Sequence, residues 1–204
     1  MSGSKNRIIF VQGAGSITLK NCNFQTSSTN YNTTIDSSAI VVHGTSGAKA
    51  GQIILEKVKA STGTTRTTLC GVNYGTLKII DSELSVNGVG YHCIKSTSGA
   101  QVEIKGSSLY TANSEDNTYS CYYITGQTNA KITIEGSYLY SESGVCIRDH
   151  SYAQAITINS GYFNCDVSTT SSNVKYAEGV NKSDCSEKHT HAGKEYTYTW
   201  KVTK

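Results

Sequence analysis

Proline is absent from all 204 residues, where a soluble domain usually carries about 5%. Charge is sparse as well: Asp, Glu, Lys and Arg make up 16% of the chain, and the net charge is only +3. Both features argue against a disordered linker, which would be proline-rich or strongly charged. There is no basic run and no RNA-binding signature, so nucleic acid is not an expected partner. No apolar stretch approaches the roughly 18–20 residues of a membrane span. The opening MSGSKNRIIF lacks the apolar core of a secretory leader. Either a cytoplasmic protein or a mature form without its leader is expected, and Met1–Ser4 reads as a cloning remnant. Hydrophobic residues are only 37% of the chain, against roughly 45–50% in an ordinary domain. Ser and Thr supply about a quarter, alongside 19 glycines. This composition suits a narrow core wrapped by a large polar surface.

What is present is a repeat. Two apolar residues alternate, a polar corner follows, then a small residue, then another apolar one. The copies are Ile17-Thr-Leu19-Lys-Asn-Cys22-Asn-Phe24, Ile53-Ile-Leu55-Glu-Lys-Val58-Lys-Ala60, Leu77-Lys-Ile79-Ile-Asp-Ser82-Glu-Leu84 and Val102-Glu-Ile104-Lys-Gly-Ser107-Ser-Leu109. Two more are Ile132-x-Ile134-x-x-Ser137-x-Leu139 and Ile156-x-Ile158-x-x-Gly161-x-Phe163. Their basic period is about 24 residues, with insertions in the first and fourth intervals. A second strand lies between copies, at Ile40–Val42, Cys70–Val72, His92–Ile94, Tyr122–Ile124 and Val145–Ile147. One such unit is too short to bury a face alone; stacking buries a continuous column. Period-2 alternation makes the stack a β-solenoid.

Aligned copies stack without like charges meeting. One column reads Lys20, Glu56, Ile80, Lys105, Glu135, Asn159, and another Thr18, Ile54, Lys78, Glu103, Thr133, Thr157. Opposite charges adjoin at Lys20–Glu56, Lys105–Glu135 and Lys78–Glu103, as favourable cross-strand pairing requires. The corner column, Asn21, Lys57, Asp81, Gly106, Gly136, Ser160, consists mostly of turn formers.

The rung pattern over about Ile8 to Phe163 resembles the right-handed parallel β-helix superfamily that includes pectate lyases and phage tailspikes. The resemblance implies an all-β, right-handed parallel β-helix of about six to seven rungs. Residues 1–163 are expected to form the helix, and residues 164–204 a C-terminal cap or tail on the last rung. The segment from Ile156 to Phe163, with Asp166-Val167-Ser168 and Tyr176-Ala-Glu-Gly179, is similar to the last rung and tail of β-helical repeats in bacterial surface proteins. That likeness implies an extracellular or cell-surface setting.

The polar intervals 25–38 and 111–120 read as loops projecting from the column. Tyr196-Thr-Tyr198-Thr-Trp200-Lys-Val202 alternates strictly and reads as a half-buried strand covering the last rung. Ile8-Ile-Phe10-Val is strand-like with almost nothing before it. It is expected to be an open first rung, cut from a longer protein or covered by another chain. The seven cysteines cannot all pair internally. Most lie in strand patterns and read as reduced packing residues, with at least one disulfide as the alternative.

Chemistry is thinly encoded. Arg148-Asp149-His150 is a weak catalytic candidate, set against a salt-bridged turn. No rung stacks a carboxylate cluster, and the motifs of polygalacturonases are missing. Glu103 and Glu135 each have a lysine beside them. Cys185, His189 and His191 are weak metal-ligand candidates whose spacing matches no strong zinc template; neither metal nor cofactor is expected. Tyr110 and Tyr140 are equivalent across copies, as are Tyr138 and Tyr162. These four are the ligand-binding candidates, able to meet sugar faces or simply to stack across strands; Tyr31, Tyr119 and Tyr152 could join either role. The threonines near 64–68 do not repeat in register, which argues against an ice-binding array. The expected function is a non-catalytic extracellular structural or adhesive module that self-associates through its N-terminal rung, with end-to-end assembly into fibres as one form of that association. The alternative is a polysaccharide-binding or polysaccharide-degrading protein, and a third reading is a phage tail-fibre segment.

Overall fold

The computed structural model describes residues 7–26, 35, 38–45, 50–63, 67–88, 91–97, 99–112, 120–125, 130–150, 156–167 and 174–204, with the side chains of residues 123–125 and 150 left out. Most of the two polar insertions, with Tyr31, Tyr119 and Tyr152, lies outside the described residues.

The chain follows one itinerary over and over. β1 (Ile9–Gln12), β2 (Ser16–Lys20) and β3 (Asn23–Thr26) make the first circuit. β4 (Ile40–His43), β5 (Gln52–Glu56) and β6 (Lys59–Thr62) follow, then β7 (Cys70–Asn73), β8 (Thr76–Ile80) and β9 (Glu83–Val86). Next come β10 (Ile94–Ser96), β11 (Gln101–Lys105) and β12 (Ser108–Thr111), then β13 (Tyr122–Thr125), β14 (Lys131–Glu135) and β15 (Ser137–Ser141). β16 (Ile147–His150), β17 (Ile156–Ile158) and β18 (Gly161–Phe163) end the pattern, and β19 (Lys175–Tyr176), β20 (Asn181–His191) and β21 (Lys194–Thr203) follow.

Members of each circuit go to three different sheets. The first sheet runs β1-β4-β7-β10-β13-β16, the second β2-β5-β8-β11-β14-β17-β19, and the third β3-β6-β9-β12-β15-β18-β21-β20. Pairing is parallel throughout, except where β21 joins β18 and β20 antiparallel. The sequence alignment of the repeats is the register of the second sheet: Thr18↔Ile54↔Lys78↔Glu103↔Thr133↔Thr157. Its opposite charges meet as ion pairs, Lys20–Glu56 at 2.7 Å, Lys78–Glu103 at 2.9 Å and Lys105–Glu135 at 3.3 Å.

The corner between the second and third sheets turns on one left-handed residue in each of the first five circuits. Asn21, Lys57, Asp81, Gly106 and Gly136 have φ of 50°, 55°, 48°, 55° and 55°, a conformation that suits Gly and Asn and strains a lysine. The next position points inward as a ladder of serines. The backbone N–H of Ser82 donates to Ser107 Oγ at 3.0 Å, and that of Ser107 to Ser137 Oγ at 3.2 Å. Each hydroxyl donates in turn to the carbonyl two residues before it. The corner leaves these groups outside the strand ladders, and the small residue of the repeat satisfies them.

The first-sheet strands differ from the sequence expectation in two circuits. Ile94 and Ile147, not His92 and Val145, align with Ile40, Cys70 and Tyr122. The preceding cysteines occupy the corner instead. Cys93, Cys121 and Cys146 stack there, and their thiols donate to the carbonyls of Tyr110 (3.0 Å), Tyr140 (3.0 Å) and Leu139 (3.1 Å) on the third sheet. All seven cysteines are free thiols.

The core is the stack of inward columns, with Ile53, Leu77, Ile156, Leu55, Ile79, Ile104, Leu84, Leu109 and Phe163 fully buried. Each such side chain contributes about 1.5–3 kcal/mol relative to exposure. The first circuit is the exception. Ile17 heads the column of Ile53 yet is 36% exposed, and Ile8 (43%) and Phe10 (37%) of the same circuit are exposed as well. β19 pairs with β17 and carries the second sheet one strand further. No helix among the described residues is long and apolar enough to cross a membrane.

Candidate functional site

The outer face of the third sheet carries two side-chain columns. One runs Asn23, Lys59, Glu83, Ser108, Tyr138, Tyr162 and the other Gln25, Ser61, Ser85, Tyr110, Tyr140. Alternation places the apolar residues of these strands inward and these residues outward. The face is therefore polar over the early circuits and aromatic over the later ones.

The four candidate tyrosines come together, but not in open solvent. Tyr138 and Tyr162 stack at 4.8 Å, and Tyr110 and Tyr140 at 6.2 Å. The β20–β21 hairpin lies against them. Its base pairs Trp200, Lys201 and Val202 with Phe163, Tyr162 and Gly161, and its far part crosses the outer face. His189 stacks on Tyr138 at 3.8 Å, while Tyr196 packs on Tyr140 at 4.7 Å and Tyr110 at 5.1 Å. Tyr198 meets Tyr138 edge-on at 5.2 Å. The candidate tyrosines are consequently half-buried. The tail covers the side of the coil as well as its last circuit. Tyr196, Tyr198 and Val202 are the buried side of the alternating strand, as its pattern predicts.

The hairpin tip is fixed by polar contacts that the sequence does not announce. His191 is 1% exposed, and both of its ring nitrogens are hydrogen-bonded: Nε2 to Ser85 Oγ at 2.7 Å and Nδ1 to Ser108 Oγ at 2.7 Å. The Ala192 N–H donates to Glu83 Oε2 at 3.0 Å, and Glu83 Oε1 pairs with Lys59 at 2.6 Å. Burial pushes the His191 ring down to about 4, against the opposing pull of Glu83. Burial raises the Glu83 carboxyl, but Lys59 and the Ala192 N–H outweigh it and hold it below the ordinary carboxylate value. Sequence inspection missed Ser85 and Ser108 because serine is so common here; the one available signal was their place in the columns that lead into Tyr110 and Tyr138.

Beside the tip, the polar half of the face forms a cleft of about 380 Å³ lined by Asn23, Gln25, Lys59, Ser61, Glu83 and Ser85, among others. The remaining candidates are dispersed. Cys185 donates its thiol proton to the Tyr198 carbonyl at 3.2 Å, with His189 and His191 engaged as described. Among the described residues no three His, Cys, Asp or Glu side chains gather to hold a metal. Arg148 and Asp149 lie on opposite faces of β16, Asp149 sharing the buried side with Ile147; the side chain of His150 lies outside the described set.

Comparison with family models, curated proteins and solved structures finds no match. The fold is all-β with parallel strands stacked in sheets, an arrangement compatible with a β-solenoid.

Proposed function

We propose that this chain is a non-catalytic structural module, a right-handed parallel β-helix of six to seven rungs that joins a second copy through its first circuit. Handedness follows from the strong right-handed rule for parallel crossovers. The extracellular setting rests on the likeness of the last rung and tail to bacterial surface-protein repeats. The observation that carries the reading is the contrast within one column: Ile17 is 36% exposed where Ile53, Leu77 and Ile156 are at 0%. β1, β2 and β3 each offer one edge unpaired among the described residues, a template for another β-edge. The far edge of the third sheet is already taken by the antiparallel hairpin, which favours pairing of two first circuits over an open fibre.

Described carboxylates on the sheet faces act structurally in this reading. Glu56, Glu83, Glu103 and Glu135 each neutralise a lysine of a neighbouring strand. The test is sedimentation velocity on the wild type and on Phe10→Lys/Ile17→Lys. A wild-type mass twice that of the double variant supports the proposal; equal masses refute it.

A second reading, a polysaccharide-binding surface, is favoured by the 380 Å³ cleft with its amide, hydroxyl and paired charged side chains. Glycan-array binding that is lost in Gln25→Ala/Ser61→Ala would establish it.

A further inference from the structure

We propose that the C-terminal hairpin is a strap latched onto the third sheet by His191, and that protonation of His191 releases it and uncovers the tyrosine face. A neutral imidazole offers one donor and one acceptor, and the Ser85 and Ser108 hydroxyls complement both. A protonated ring carries a charge in a site that is 1% exposed, where an unbalanced charge is costly. The facing groups do not balance it. From the sheet, Ser85, Ser108 and Tyr110 are uncharged, and the pull of Glu83, which is shared with Lys59 and the Ala192 N–H, is outweighed by burial. Lys59 and, from the hairpin, His189 add repulsion; the Tyr196 ring sits under the Lys194 ammonium at 4.9 Å. His189 is itself held below its ordinary value by burial against Tyr138, so its protonation acts in the same direction.

The attachment explains why the strap opens before the coil. Among the described residues, backbone pairing ties the hairpin to the coil only at Trp200–Val202, and side chains make the other contacts. Coil strands such as β11 are paired on both sides over five residues. The sign follows from the lowered ring pKa. The latch is fully made above about 6.5, the open-state value, and weakens as pH falls towards about 4. Between pH 7 and 4.5 the closed-to-open ratio falls about 60-fold.

Hydrogen exchange read by mass spectrometry on the full chain, corrected for intrinsic rates, tests the latch. In a His92→Gln background, which removes the acid response of the coil's own buried histidine, peptides within 186–199 are expected to lose about 60-fold protection at pH 4.5 relative to pH 7, while Gln101–Lys105 and Lys131–Glu135 keep theirs. His191→Gln, which keeps a donor and an acceptor but does not titrate, is expected to stay protected at both values. Unchanged hairpin protection, loss in step with the coil strands, or the same acid release in His191→Gln overturns the proposal. If His191→Gln is already open at pH 7, ring titration of the wild type by NMR decides. A His191 pKa below 5 supports the latch, and any value from 5 upward overturns it.

Discussion

Ser82 donates its backbone N–H to the hydroxyl of Ser107 one circuit on, at 3.0 Å, and both residues are almost fully buried. A short side chain thereby supplies the hydrogen bond that the strand ladders leave open at the corner. Ser107→Ala leaves the Ser82 N–H buried without a partner, and the expected loss of stability is about 1–3 kcal/mol. Urea denaturation checks it. A loss within 0.3 kcal/mol, roughly the scatter of independent measurements, would mean the ladder is incidental.

The corner residue gives a gain instead. Lys57 is held at φ 55° where two later circuits use glycine. Lys57→Gly relieves left-handed strain of about 1–2 kcal/mol and adds backbone entropy to the unfolded chain. A net stabilisation of about 0.5 kcal/mol is expected by the same denaturation assay. The converse change, Gly106→Val, is expected to be destabilising, since its Cβ would lie 2.5 Å from Asp81 Oδ1.

Under the hairpin, the Tyr198 hydroxyl is buried with no hydrogen-bond partner among the described residues. Removing an unpaired polar atom while keeping the ring is neutral or favourable. Tyr198→Phe is therefore expected to leave the melting temperature unchanged or raise it, whereas Tyr198→Ala empties the contact with Tyr138 and lowers it by several degrees.

Acid destabilises the coil itself through His92. This ring is buried, and its Nδ1 lies 3.1 Å from both the N–H and the carbonyl oxygen of Ser120, accepting from one or donating to the other according to its tautomer. Burial outweighs the bond to the Ser120 backbone and, with Lys95 and Arg148 nearby, pushes it down to about 3. The unfolded ring binds protons first, so its contribution is complete above about 6.5 and is lost as pH falls towards 3. On the order of 3 kcal/mol is expected to disappear between pH 7 and pH 4. Urea midpoints across that range measure it, and His92→Gln is expected to flatten the slope.

The sequence patterns reached the fold through columns. Lys78 and Glu103 are 25 residues apart in sequence, yet the repeat pairs them, because parallel in-register stacking turns a sequence period into a spatial neighbour. The same logic located Tyr138 beside Tyr162. It failed where the chain leaves the period. Cys93 and Cys146 look like strand residues, yet they form corners, because a small apolar residue suits either place. The hairpin over the tyrosines was equally hidden: alternation shows that Tyr196 and Tyr198 bury one side, but not which surface they bury it against. His191 was read by residue type as a possible ligand, while its two serines come from circuits 83 and 106 residues away.

The central claim is that two copies meet at their first circuits. Small-angle X-ray scattering of the purified chain over a concentration series tests it most directly. The account predicts a particle with about twice the mass of one chain and nearly twice its length along the coil, reverting to single length in Phe10→Lys/Ile17→Lys. A wild-type particle of single length at every concentration would contradict it.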